Sequence, residues 1–300
     1  MNRRFCVRYC TLLLFLQLII PSLSVSLFGA AIRGDLNVLR RLLLSPDNNI
    51  NVNAIDKKTG LTAVFFAAQL GHVDVVATLH TLGGARLDIP ATIDGRTPAY
   101  AAAANGYIQV VKLIADANAS INVMQPRKDG RTPLHAAAMG NHVSVINTLI
   151  IDYGAKVNVR TNIGGTPLYI ASHFGHLKAV VRLFELGGNV NVAKYDGTTP
   201  VFVCAQQGHI EVLRKLHDLG GADVDVADSE GYTPLFVAAQ HKQIKIATLL
   251  VHYGADLTKA LSVTREKQHP EAFRILKTLK TLKIRNTTKE NKGESEHAEL

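Results

Sequence analysis

Tryptophan is absent from this chain of 300 residues, cysteine occurs three times, and charged residues make up only 19%. Hydrophobic residues reach 47% and there are 23 glycines, a balance that suits a compact helical array whose turns consume glycine. No long disordered stretch is expected between residues 27 and 281. Catalytic signatures are missing too. There is no phosphate-binding glycine loop, no dinucleotide fingerprint, no His-Glu-x-x-His and no Gly-x-Ser-x-Gly. No enzyme activity, cofactor or metal is therefore expected. His173-Phe-Gly-His176 has a conceivable metal spacing, but no third or fourth ligand stands with it.

What is present is a beat. It reads Gly60-Leu-Thr-Ala63, Gly95-Arg-Thr-Pro98, Gly130-Arg-Thr-Pro133, Gly164-Gly-Thr-Pro167, Gly197-Thr-Thr-Pro200 and Gly231-Tyr-Thr-Pro234. The threonines Thr62, Thr97, Thr132, Thr166, Thr199 and Thr233 are 35, 35, 34, 33 and 34 residues apart, an interval that stacked supersecondary units produce. In the unit from Gly95, the Thr97 hydroxyl can cap a helix whose first position suits Pro98. Ala101, Ala102 and Ala103 keep that helix slim, and Gly106 supplies the left-handed residue that ends it. Ile108, Val110, Val111, Leu113 and Ile114 then form the apolar stripe of a second helix.

This order of turn, short helix, turn and longer helix resembles the ankyrin repeat. The matching residues include Thr132-Pro-Leu-His135, the pairs Gly71-His72, Gly175-His176 and Gly208-His209, and the steps Gly221-Ala-Asp223 and Gly254-Ala-Asp256. The resemblance implies an all-α solenoid with β-turn or hairpin fingers. About eight helix-turn-helix units are expected, six regular and two capping, near 27–59, 60–94, 95–129, 130–163, 164–196, 197–230, 231–258 and 259–281. Atypical ends fit, because an outermost face meets water. It also implies that His72, His142, His176, His209 and His269 bond the adjoining loop. Phe65, Tyr100, Tyr169, Phe202 and Phe236 lie three residues after their Thr, in the place of His135, and read as a structural column. Ala63, Asn141 and Lys242 depart from the pattern, and the turn at Lys242 is expected to be strained or rearranged.

Residues 1–26 have a basic start, an apolar run at Thr11–Ile20, Pro21 and small residues, the pattern of a secretory signal peptide cleaved after Ser24 or Ser26. The run is too short to span a bilayer comfortably. Alternatively the segment is an apolar capping helix, which would leave the protein cytoplasmic. Under the secretory reading Cys6 and Cys10 depart, leaving Cys204 as a small buried thiol and no intrachain disulfide. Asn118-Ala-Ser120 and Asn286-Thr-Thr288 fit the glycosylation pattern, although Asn118 also suits a left-handed helix cap. Residues 282–300 read as a disordered polar tail, and its end, His297-Ala-Glu-Leu300, resembles endoplasmic reticulum retrieval signals with Ala298 in the Asp position. The chain is thus expected to be secreted or retained in the lumen.

The resemblance directs recognition to the positions that vary on a constant frame. Those before each Thr are Leu61, Arg96, Arg131, Gly165, Thr198 and Tyr232. At the inner-helix ends the candidates are Leu70, Asn105, Met139, His173, Phe174, Gln207 and His241, and Tyr195 joins them as an aromatic in need of a cover. Arg96 and Arg131 could hold an acidic element. The expected partner of this monomeric scaffold is another protein, met on the concave side. The alternative is docking to an acidic, membrane or nucleic-acid surface through the basic face Lys277, Lys280 and Lys283. Opposite that face run Leu276, Leu279 and Leu282, as in an ordinary amphipathic end helix, and no aromatic interleaving favours nucleic acid.

Overall fold

The computed structural model describes residues 26–45, 49–117 and 125–282. The leader up to residue 25, both glycosylation motifs, most of the 45–49 connection, Lys283 and the tail beyond it lie outside the described residues. Within one compact unit, Met1–Val123, α1 (Leu27–Arg33) pairs with α2 (Leu36–Leu44), α3 (Ala63–Leu70) with α4 (Val73–Thr81), and α5 (Pro98–Ala104) with α6 (Ile108–Ala117). The second unit, Met124–Leu300, begins with α7 (Pro133–Met139) and α8 (Val143–Asn147), then α9 (Pro167–His173) and α10 (Leu177–Glu185). It continues with α11 (Pro200–Gln207), α12 (Ile210–Gly220), α13 (Pro234–Gln240), α14 (Ile244–His252), α15 (Leu257–Glu266) and α16, residues 270–282. No strand occurs among the described residues. The fingers are hydrogen-bonded turns, with one isolated bridge from Ile55 to Thr62.

Each regular inner helix starts as the threonine dictates. The hydroxyl oxygens of Thr62, Thr97, Thr166, Thr199 and Thr233 accept from the backbone N–H three residues on, at 3.1 to 3.2 Å. Thr132 differs: its own N–H donates to Nδ1 of His135 at 3.1 Å, so histidine takes the part that glutamate plays in a capping box. The alanines Ala67, Ala101, Ala102, Ala136, Ala137 and Ala171 are buried and let inner helix pack on inner helix within each unit. A seven- or eight-residue helix is marginal alone, so this neighbour packing is what stabilises it.

The turn out of each inner helix needs a residue with positive φ. Glycine supplies it at Gly71 (77°) and Gly208 (88°), but Asn141 (59°), Lys242 (57°) and Gln268 (56°) adopt the same left-handed conformation. The Lys242 turn is therefore strained but not rearranged. Asn141 is compensated, because its Oδ1 accepts from the N–H of Ala179 in the next outer helix at 3.1 Å. Lys242 gains only an exposed pair with Glu271. Lys242→Gly is expected to raise unfolding stability by about 1 kcal/mol in urea titrations, and Asn141→Gly by less.

Three of the five outer-helix histidines bond elsewhere than the resemblance implied. Nε2 of His72, His176 and His209 lies 3.1, 2.9 and 3.0 Å from the carbonyls of Ile32, Met139 and His173, at the end of the preceding inner helix rather than in the adjoining loop. The reason is proximity: the left-handed turn of the preceding unit packs against the ring, as Gly175 does on His209.

Candidate partner-binding face

The column three residues after each Thr is structural. Phe65, Tyr100, His135, Phe202 and Phe236 are buried. Members of the column are covered by the following unit: Arg96 lies 5.5 Å over the Phe65 ring, His135 Nε2 meets the Gly165 carbonyl at 3.1 Å, and the Tyr169 hydroxyl meets Thr198 at 3.2 Å. Burial pushes the pKa of the His135 imidazole down to about 4 and that of the Tyr169 phenol up to about 12. Cys204 is fully buried, its thiol donating to the Ser172 carbonyl, and burial raises its pKa, which keeps the thiol protonated at neutral pH.

Several positions proposed for recognition are engaged by the frame. Leu61 and Gly165 are buried, not turn tips; the turns fall at residues 57–59 and 162–163. Arg96 pairs with Asp94 at 2.6 Å and Arg131 approaches Asp129 at 3.7 Å, so each arginine has a carboxylate from its own finger. The Asn105 amide donates to the carbonyls of Ala101 and Gln69. Tyr232 needs no external cover. Its ring stacks on Phe236 at 4.9 Å, and the Lys267 ammonium sits 5.4 Å from its centroid. Leu70 and Met139 are half-buried.

The remaining candidates are open. Phe174, which caps the C-terminus of α9, leaves 39% of its surface in water. Its ring stands edge-on to His173 at 4.9 Å and parallel to His176 at 6.0 Å. His173 is half-buried, and desolvation, followed by the nearby His209, lowers its pKa, so it is neutral at pH 7. Gln207 and His241 are exposed at the ends of α11 and α13. Tyr195 is 70% exposed, with the Arg160 guanidinium 4.9 Å over its ring, and the exposed Ile163 lies in the preceding finger. Sequence reasoning missed Ile163; its place beside a finger glycine was the available signal. In α16, Leu276 and Leu279 are buried and Lys277 and Lys280 solvated.

Among known families, the one described as ankyrin repeats (3 copies) matches residues 27–125, 121–194 and 180–260. This chain belongs to the ankyrin-repeat family. Ankyrin repeats are generally protein–protein interaction modules and typically non-catalytic. No curated protein matches the chain. Among the described residues no helix of this ankyrin-repeat protein is long and apolar enough to cross a membrane, and no three His, Cys, Asp or Glu side chains converge as a metal site requires.

Proposed function

We propose that this ankyrin-repeat protein is a non-catalytic scaffold. Its second compact unit would bind a partner protein through the inner-helix ends at Met139, His173, Phe174, Gln207 and His241, with Tyr195 as a neighbouring anchor. In the first unit, Leu70 and Asn105 hold the corresponding positions, with Arg96 in the finger before Thr97. The observation that carries the proposal is the Phe174 ring. It stands partly in water on a frame that buries its repeated aromatics, held in place by two histidines. A photo-crosslinking residue at position 174 is expected to capture one protein, and the same residue at exposed Lys245 on the outer helix is not. Equal labelling from both positions would count against the face. Phe174→Ala is expected to weaken partner binding at least ~10-fold while changing stability by less than ~1 kcal/mol.

The protein is proposed to enter the secretory pathway, to be secreted or retained in the lumen. Ser26 Oγ accepts from Gly29 N–H at 3.0 Å and caps α1, which supports cleavage after Ser24, since cleavage after Ser26 removes the cap. N-terminal sequencing should then read Val25, and an intact Met1 in cytosol refutes this placement. Partner binding that collapses with salt and with Lys277→Ala/Lys280→Ala would instead favour docking through α16.

A further inference from the structure

The finger row of the second unit has a direction. The N–H of Asn162 donates to the Asp129 carbonyl at 3.0 Å, that of Tyr195 to Ile163 at 3.1 Å, and that of Ser229 to Asp196 at 2.8 Å. Each acceptor immediately precedes a finger glycine, Gly130, Gly164 or Gly197. The next finger lies so close that a Cβ there would collide: with Asn162 at Gly130, with Tyr195 N at 2.9 Å at Gly164, and with Asp228 Cα at 2.9 Å at Gly197.

Gly231 breaks the series. A Cβ on it would meet nothing within 4 Å, and the equivalent carbonyl, that of Glu230, receives no such hydrogen bond among the described residues. The cause is legible in the chain. From Gly221 to the cap Thr233 is 12 residues, whereas from Gly254 to the cap Asp256 is 2, so α15 begins without a finger. One place in the row is left unfilled, with an acceptor and a glycine facing it.

We propose that this open end docks a basic, turn-forming segment of a partner protein, which supplies the missing finger. The chemistry is that of strand addition at an open edge: a main-chain N–H to the Glu230 carbonyl, and close approach over a residue without Cβ. Charge selects a basic occupant. Residues 216–241 contain Asp218, Asp223, Asp225, Asp228 and Glu230 and no Lys or Arg. Asp228 Oδ1 is held by the N–H groups of Glu230 and Tyr232 and Asp225 by that of Asp256, while the Glu230 side chain is exposed. The lysines at the edge are engaged, Lys259 on the Asp225 carbonyl at 3.1 Å and Lys267 over Tyr232. This site is independent of the inner-helix face, and either can fail without the other.

The test uses the full chain and a fluorescent peptide copying its own first finger, residues 54–62, closed by a disulfide between added terminal cysteines. That finger is basic, and Lys57 follows Asp56 as Ser229 follows Asp228. Saturable binding by anisotropy is expected. Glu230→Lys should weaken it at least ~10-fold, as should Gly231→Asn, which fills open space with a residue that tolerates positive φ, and N-methylation of the Lys57 amide. Equal binding by a scrambled linear peptide, indifference to these changes, or no saturable binding overturns the proposal. Self-association of the full chain that Gly231→Asn abolishes assigns the place to a second copy and overturns it as well.

Discussion

His135→Ala is expected to lower unfolding stability by about 3 kcal/mol, although the residue touches no proposed partner surface. The imidazole joins two neighbouring repeats of the second unit: Nδ1 accepts from Thr132 N–H, and Nε2 donates to the Gly165 carbonyl. Truncation strands both backbone groups in a dry environment, and each stranded group costs ~1 to 3 kcal/mol. The same burial makes the protein acid-sensitive. In the folded state the ring titrates at about 4, below its ordinary value of 6.5, so the unfolded chain takes up the proton first as pH falls. His135 therefore contributes fully above pH ~6.5, and its contribution declines by about 1.4 kcal/mol per pH unit towards 4. Asp88, Asp196 and Asp256 have lowered pKa values, so their losses fall below the ordinary aspartate range and leave this window to histidine. Urea unfolding at pH 7 and pH 5 should differ by about 2 kcal/mol in the parent and by clearly less in His135→Gln. An equal acid loss in both would remove His135 from the account.

Gly197→Ala and Gly231→Ala should separate sharply. Both glycines have positive φ, 81° and 85°, so both substitutions meet the same left-handed penalty of ~1 to 2 kcal/mol. At Gly197 the new Cβ also meets the backbone of Asp228 and Ser229 at 2.9 and 3.0 Å, atoms that cannot rotate away. A loss of about 3 kcal/mol or more is expected there, against ~1 to 2 at Gly231. Equal losses by equilibrium unfolding would mean that the fingers are not stacked as described.

The frame was legible because its residues act locally. Thr97 caps its own helix, Pro98 suits the first position, and Gly106 turns the chain, so the interval alone exposed the helix pairs. What escaped depends on register between neighbours. Leu61 and Gly165 share a sequence position with Arg96 and Arg131, and their fingers turn at the same places relative to the Thr, yet Leu61 and Gly165 are buried whereas the two arginines are half-buried. Tyr232 looked exposed because its covers, Phe236 and Lys267, come from its own helix and from a unit 35 residues on. The outer helix after His142 also ends in a π-helical turn, Thr148–Asp152, although the 13 residues from His142 to Ala155 equal those from His72 to Ala85, where the helix ends without one. Nothing in composition or apolar spacing distinguishes that turn from an ordinary helix end.

The central claim is that the repeated residues make the frame and that the free positions at the inner-helix ends make the contacts. Its most direct measurement is the affinity of the protein captured at position 174 for the parent and for the variant Phe174→Ala/Gln207→Ala/His241→Ala, with unfolding followed in parallel. The account predicts a loss of at least ~100-fold in affinity with stability held within about 1 kcal/mol. Unchanged affinity in the folded variant would contradict it.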